Sequence, residues 1–238
     1  EDALRMLRAF RFIAKLDFTL DKSTAEGIAL NKSLIRKISI ERVQEELFKL
    51  LDAPHNKKAL KAMVDTTFAS ALYDLEEGIE TLAKSTVNFK KEEAFALLFE
   101  DEALEEGPWR FSNHLKKTIR SIHRIHEATL EKGFKPIHLF TYGETLCQKA
   151  NTLNMLQGDV DRSEIIKHLE KTLKVRSLND LALRGAEIRK NLPISHPSQI
   201  SRLLDDLLEA VLDGEVKNSE TALKKAALKY LKTYESEQ

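Results

Sequence analysis

The feature that most constrains the fold is a helical period of hydrophobic residues that recurs along nearly the whole chain. Near the start, for example, Leu4, Leu7 and Phe10 follow one another at steps of three. No long stretch alternates apolar and polar residues with the period of two that a half-buried strand requires. Eight glycines and five prolines in 238 residues interrupt the pattern rarely. The sequence therefore predicts an all-α fold.

Glycine and proline divide this pattern into separate helices. Breaks fall at Gly107-Pro108 and at Gly133, and residues 158–161 are the predicted linker. The side chain of Asp21 or Ser23 is expected to cap the second helix. The predicted helices cover 1–16, a segment from about 22, and then 39–51, 57–65, 67–83, 92–104, 112–132, 136–156, 162–174, 178–190, 197–212 and 218–233.

Composition excludes several classes of protein. The chain has 42% hydrophobic and 32% charged residues, which is typical of a soluble helical protein. It has no run of roughly 18–20 uncharged apolar residues, so we expect no membrane partner. The one cysteine, Cys147, excludes an internal disulfide and a cysteine metal cluster and favours a reducing cytoplasm. The chain opens on Glu1 in mid-helix by pattern, which we interpret as a fragment of a longer protein.

Charge is segregated although the net charge is zero. Residues 92–106 carry seven acidic side chains and no lysine or arginine. Residues 110–135 carry seven lysines and arginines, and 162–190 is also basic. This asymmetry permits a local positive surface for nucleic acid, although solvated helix faces are the commoner meaning of such runs. The cations singled out as candidate contacts are Lys116, Lys117, Arg120, Arg124, Lys171, Lys174 and Arg176.

A polar stripe crosses the first helix, which is otherwise strongly apolar. Asp2, Arg5, Arg8 and Arg11 recur every three residues, so their side chains form a slanted row. One interpretation is an intrahelical Asp–Arg pair with two arginines that reach water. The other is recognition of a nucleotide base, with Arg8 and Arg11 near the phosphates or bracing the pair.

Recognition of a base follows from hydrogen-bond chemistry. Cytosine and adenine both present an amino donor beside a ring-nitrogen acceptor on their pairing edge. A carboxylate accepts from the amine while a guanidinium donates to the ring nitrogen. Uracil and guanine present a carbonyl and a ring N–H at the matching atoms. An Asp/Arg pair can therefore accept C and A while refusing U and G.

The stripe belongs to a longer motif. It reads E-D-x-x-R, continues as R-A-F-R-F-I-A-K-L-D-F-T-L-D, and is followed by I-S-I-E-R-V-Q-E-E-L-F-K-L-L. This stretch of about fifty residues resembles the nucleotide-templating region of class II, Bacillus-type CCA-adding enzymes, which are tRNA nucleotidyltransferases. The resemblance implies that Asp2 and Arg5 read the incoming CTP or ATP, and that Arg8 and Arg11 lie in the same nucleotide pocket.

Two segments near the far end carry a second resemblance to the same family. Residues 177–185 resemble its D-L-A-x-x-G tail element, and 207–218 resemble L-L-E-A-V-x-x-G-x-x-x-N. The chain departs from the usual pattern at Arg184, where the family carries Asn or Thr, and at Glu187, where it carries Asp. The segment 195–201 also lacks the glycines and tryptophan common there.

The family resemblance implies an architecture and a division of labour. We expect an elongated all-α chain with a neck at 1–56, a body at 57–157 and a tail at 158–238. Body and tail are expected to hold tRNA, and CTP and ATP are the expected substrates. The family's head domain supplies the aspartates that bind Mg²⁺ on a strand, and these residues contain no strand-rich region to carry them. We therefore expect no catalytic or metal-binding residue in this chain, which alone should be inactive without its head domain.

Two other functions remain open at this stage. An A-adding or poly(A) polymerase relative would have the same neck. A standalone helical RNA-binding module would need no head domain at all.

Outside the stripe, three more residues could be functional. We interpret His123 and His126 as part of an exposed polar face, in preference to an RNA contact or a metal site. Trp109 is predicted to be a core residue.

Overall fold

In the computed structural model, which describes residues 2–194 and 196–236, the chain is built from helices, as predicted. No β-strand occurs within those ranges. Three 3₁₀ helices, Lys32–Lys37, Phe68–Ala71 and Leu178–Asp180, lie between the α-helices. The α-helices are α1 (Leu4–Leu16), α2 (Lys22–Asn31), α3 (Ile40–Leu51), α4 (Asn56–Asp65), α5 (Glu76–Lys84), α6 (Lys91–Leu98), α7 (Asp101–Glu106), α8 (Asn113–Thr129), α9 (Pro136–Leu156), α10 (Ser163–Thr172), α11 (Gly185–Asn191), α12 (Ser198–Leu212) and α13 (Glu220–Ser236).

The helices form two compact units. One contains residues 2–132 and 148–161, and the other contains 133–147 and 162–236. The division into neck, body and tail stays a prediction. In the second unit, α12 packs against α11 and α13 around a core of leucines that includes Leu203, Leu207 and Leu223.

The core of the first unit begins with the apolar face of α1. Leu7 and Phe10 are fully buried where α1 packs against α3 and α4. The Phe10 ring lies 5.0 Å from that of Phe68. Because this packing fixes the apolar face of α1, it also fixes the direction of the polar stripe beside that face.

The predicted cap of the second helix is confirmed. The carboxylate of Asp21 accepts hydrogen bonds from the backbone N–H groups of Ser23 and Thr24, at 2.9 and 3.1 Å. These bonds satisfy two of the donors that the start of a helix leaves without partners. Hydrogen bonds from the hydroxyl groups of Thr24 and Ser23, together with these backbone bonds, hold the pKa of Asp21 well below its usual range.

Four predicted helices are broken in the structure. Segment 136–156 is interrupted at Gly143, whose φ of 76° and ψ of 164° are not helical. In the other three, tertiary contacts override the local pattern. Segment 67–83 is interrupted at Tyr73 and Asp74, which adopt positive φ angles of 36° and 63°. Segment 92–104 is broken at Phe99, whose extended backbone places its ring 5.2 Å from Trp109. Segment 178–190 is a 3₁₀ turn followed by α11. Left-handed residues and buried aromatic clusters of this kind leave no periodic signal.

Candidate functional site

The polar stripe of α1 runs beside the buried apolar face of the helix, along the side that meets α3. Arg5 and Arg8 are exposed, and Arg11 is half-buried. Glu1, the first residue of the motif, lies outside the described residues. The stripe thus presents three guanidinium groups along one helix, beginning beside the carboxylate of Asp2.

The Asp2 carboxylate is held from two directions. Its Oδ1 accepts a hydrogen bond from the backbone N–H of Leu4 at 3.0 Å. Its Oδ2 lies 2.5 Å from Nη2 of Arg42, in the first turn of α3. The Leu4 N–H and the Arg42 guanidinium hold the pKa of Asp2 below its usual range. The carboxylate is therefore ionised at neutral pH and accepts hydrogen bonds only.

Arg8 and Arg11 converge on Glu46, one helical turn after Arg42 on α3. Glu46 is 5% exposed. Its Oε2 lies 2.7 Å from Nε of Arg11 and its Oε1 lies 3.5 Å from Nε of Arg8. The Arg11 N–H does not point at the oxygen, so the contact is a close ion pair without hydrogen-bond alignment. A nearly buried carboxylate therefore offsets one of the two positive charges in the inner part of the stripe.

Arg42 and Glu46 are the site residues that the sequence reasoning missed. Both lie in I-S-I-E-R-V-Q-E-E, four residues apart, so they occupy the same face of α3. This spacing could have identified Arg42 and Glu46 as site residues only if the packing of α3 on α1 had already been known. Chemically, the start of α1 offers an oriented carboxylate acceptor and, along the helix, guanidinium donors.

The four candidate cations of α8 lie together around one surface depression of about 340 Å³. Glu105 of α7 lines the same depression and pairs with two of them, Lys116 at 2.8 Å and Arg120. Lys117 and Arg124 are exposed. The acidic run therefore partly neutralises the basic helix, and Lys117 and Arg124 carry the accessible charge of this α8 cluster.

The candidate cations of the second unit lie at the end of α10 and just after it. Lys171 and Lys174 are exposed, and Lys174 lines a depression of about 620 Å³. Arg176 pairs with Glu170, with Nη1 and Oε1 2.6 Å apart. Lys171 and Lys174 are thus exposed, and Arg176, although its side chain is 60% exposed, is held in an ion pair.

The two sequence elements that resemble the family's tail meet through Asn218. Its Oδ1 accepts from the backbone N–H of Ala182, and its Nδ2 donates to the carbonyl of Asp180, both at 2.8 Å. Glu187, one of the departures, accepts from the backbone N–H of Arg184 at 3.0 Å and so caps α11. Arg184 and Glu187, the two residues that differ from the family pattern, are therefore joined by a hydrogen bond that caps α11.

The other polar candidates have structural roles. His123 is not part of an exposed polar face, because its ring nitrogens lie 2.7 Å from Asp101 Oδ1 and 2.8 Å from the Ala96 carbonyl. His126 Nδ1 lies 2.6 Å from Oδ1 of Asn154. Trp109 is buried, as predicted. Burial raises the pKa of the Cys147 thiol to about 12, which makes it a poor nucleophile.

Within 2–194 and 196–236, no group of three or more His, Cys, Asp and Glu side chains is arranged to hold a metal ion. None of the helices described has both the length and the hydrophobicity needed to cross a bilayer.

Fold and site together define an all-α chain with three guanidinium groups along one helix, one carboxylate just before that helix, and exposed cations on others. Residues 101–227, more than half of the chain, match the family described as "tRNA nucleotidyltransferase domain 2". The chain therefore belongs to this tRNA nucleotidyltransferase family. Residues 17–75 match a second family, described as "Probable RNA and SrmB-binding site of polymerase A".

Curated relatives and solved structures agree with this assignment. The chain is 30% identical to a CCA-adding enzyme of Streptococcus thermophilus over 94% of its own length and 58% of that protein. It is 28% identical to one from Streptococcus agalactiae over 97% of its length and 60% of that protein. The chain thus spans about 60% of the curated relatives it matches.

Two solved structures show the same fold. The Bacillus stearothermophilus CCA-adding enzyme in complex with CTP matches with a TM-score of 0.78 at 23% identity, covering 100% of this chain and 64% of that one. The Thermotoga maritima CCA-adding enzyme complexed with tRNA matches with a TM-score of 0.63 at 17% identity, covering 97% of this chain and 61% of that one.

Proposed function

We propose that this chain is the nucleotide-selecting and tRNA-holding part of an enzyme that adds C, C and A to the 3′ end of tRNA. The observation that carries the proposal is the fixed carboxylate of Asp2 beside the arginine stripe of α1. Membership of the tRNA nucleotidyltransferase family supports the same activity. CTP and ATP are the proposed substrates.

Asp2 and Arg5 act in this proposal as a protein template. The ionised Asp2 carboxylate accepts from the amino group of cytosine or adenine, and Arg5 donates to the adjacent ring nitrogen. Arg8 and Arg11 support this pair and the phosphates of the nucleotide. Glu46 holds Arg8 and Arg11 in place, so their side chains need little rearrangement when the nucleotide binds.

The exposed cations are proposed to hold tRNA. Contacts between cations and phosphates supply affinity without reading sequence, as an enzyme acting on every tRNA requires. Lys117 and Arg124 of the α8 cluster, together with Lys171 and Lys174, are the accessible members of the set. Lys116, Arg120 and Arg176 are ion-paired and contribute only after exchanging a carboxylate for a phosphate.

Bond formation is proposed to occur on a head domain that belongs to the same protein but not to this chain. The described residues do not fit a two-metal centre, since they hold no cluster of metal ligands. Bound Mg²⁺ would supply charge stabilisation for nucleotidyl transfer on that head domain. We place the whole activity in the cytoplasm, in line with the single, buried cysteine.

A poly(A) polymerase or A-adding relative is the second candidate. The match of residues 17–75 to a polymerase A family favours it, because that segment includes α3 and its contacts with the stripe. An Asp/Arg template accepts adenine as well as cytosine, so the site chemistry suits both activities.

Nucleotide incorporation separates the two candidates. The full-length protein that contains this chain would be given tRNA lacking its terminal CCA, together with labelled CTP or ATP. We expect two cytidines and then one adenosine to be added. Incorporation of adenosine alone would assign the protein to the A-adding class, and absence of both would overturn the nucleotidyltransferase proposal.

Neutralising the accessible cations of the α8 cluster should weaken tRNA binding. We expect the double variant Lys117→Gln/Arg124→Gln to bind tRNA several-fold more weakly at moderate salt. The slope of log affinity against log salt should decrease by about one for each phosphate that a side chain no longer neutralises. Titrations at several salt concentrations measure both quantities.

The matched control is Lys61→Gln/Lys84→Gln, which removes the same charge from α4 and α5. Both lysines are exposed and pair with a carboxylate four residues away along the chain. If the control weakens tRNA binding as much as the α8 variant does, the effect reflects net charge and the α8 cluster is not the contact.

A further inference from the structure

Helix α3 holds both ends of the polar stripe on α1. Arg42 contacts Asp2, at one end, and Glu46 contacts Arg8 and Arg11, farther along. Arg42 and Glu46 are separated by one helical turn, so a single face of α3 contacts the stripe at Asp2, Arg8 and Arg11.

The contact between Arg42 and Asp2 restricts a side chain that would otherwise rotate. Asp2 precedes α1, and two contacts orient its carboxylate: the backbone N–H of Leu4 on Oδ1 and the guanidinium of Arg42 on Oδ2. A carboxylate offers about four lone-pair positions. With one used on each oxygen, the group keeps the capacity to accept from the amino group of a base.

The same contact contributes little to folding. The side chain of Arg42 is 49% exposed and that of Asp2 is 33% exposed. Exposed ion pairs are screened by water and give small net stabilisation. The selectivity of a base-reading residue, in contrast, depends on its orientation, because a misplaced acceptor no longer distinguishes an amino group from a carbonyl group. Loss of Arg42 is thus expected to change selectivity and leave folding intact.

We propose that Arg42 is a positioning residue for base selection, which orients the Asp2 carboxylate from α3 so that cytosine and adenine are accepted and uracil and guanine refused. The inference rests on the proposed function, since it assumes that Asp2 reads the base. It adds a specificity-determining side chain from outside the helix that carries the template.

The test compares nucleotide preference in the full-length protein. The ratios of kcat/KM for CTP over UTP and for ATP over GTP would be measured for wild type, Arg42→Ala and Arg42→Lys, with tRNA lacking the appropriate 3′ nucleotides. We expect Arg42→Ala to lower the two ratios about tenfold, the scale of one base-reading contact. Arg42→Lys should recover part of the loss, because it keeps the positive charge without the planar fork.

Two controls separate positioning from a structural role. Lys49→Ala removes another cation from α3, one that pairs with Glu45, and should leave the ratios unchanged. The midpoint of thermal unfolding should be the same for Arg42→Ala and wild type. In an Asp2→Asn background, Arg42→Ala should cause no further loss of selectivity, because a residue acting only through Asp2 has no effect without it.

Specific outcomes overturn the proposal. Unchanged ratios in Arg42→Ala, or an additive loss in the double variant, exclude positioning through Asp2. Higher activity of Arg42→Ala with unchanged ratios would make Arg42 an inhibitory latch instead. If the wild-type protein adds neither C nor A, the proposed function fails first, and that result is distinct from a failure confined to Arg42.

Discussion

Replacing Arg5 by alanine in the full-length protein should lower the preference for CTP over UTP and for ATP over GTP by roughly ten- to a hundredfold, the range of one bidentate base contact. The expected cause is loss of the donor that faces the ring nitrogen of C and A. Because Arg5 is exposed, its removal leaves the core of α1 intact. Steady-state kcat/KM values with the four nucleotides measure the effect.

The matched control for Arg5 is Lys15→Ala, which removes an exposed cation from the last turn of the same helix. We expect it to leave nucleotide preference unchanged. Arg5→Lys should behave like Arg5→Ala in preference, because an ammonium group cannot reproduce the planar fork. A rate decrease with unchanged preference would refute Arg5 as a base reader and favour a role in phosphate binding.

Replacing Glu46 by alanine should destabilise the first unit by about 2 kcal/mol. Removal of this carboxylate leaves the half-buried guanidinium of Arg11 without its counter-charge. We expect a smaller loss of stability than for a fully buried ion pair, since Arg11 and Arg8 are 20% and 44% exposed and water can reach them. Urea unfolding, converted through the m-value, gives the free-energy change.

The signal for this measurement is available within the chain. Trp109 is the one tryptophan, is buried and lies in the same unit as Glu46, so its fluorescence reports unfolding of that unit. The control is Glu45→Ala, the adjacent residue, which is exposed and pairs with Lys49. It should leave the urea midpoint unchanged. A Glu46→Ala variant as stable as this control would contradict a role in holding Arg11.

Some of the site could be predicted from local sequence. The step of three from Arg5 to Arg11 places these side chains along one helix whatever surrounds it, whereas Asp2 lies just before the first turn. The α8 cluster likewise follows from the helical spacing of Lys116, Lys117, Arg120 and Arg124. The cap of α2 by Asp21 is also local, because donor and acceptor are two or three residues apart.

Other features depended on contacts between distant parts of the chain. The partner of Asp2 is Arg42, and the partner of Lys116 and Arg120 is Glu105. Both carboxylates could be seen in the sequence, but their pairing required the packing of α3 on α1 and of α7 on α8. The break at Phe99 has the same origin, since its ring joins a cluster formed with Trp109 and Phe111.

The sequence by itself thus determined the all-α class, the polar stripe on α1 and the resemblance to CCA-adding enzymes. These depend on periods of three to four residues and on contiguous motifs, which are local properties. Only the tertiary structure decided which groups orient the stripe, because Arg42 and Glu46 reach it through a helix about thirty to forty residues away. Helical periodicity fixes which face a side chain is on, whereas packing of two helices fixes what it meets there.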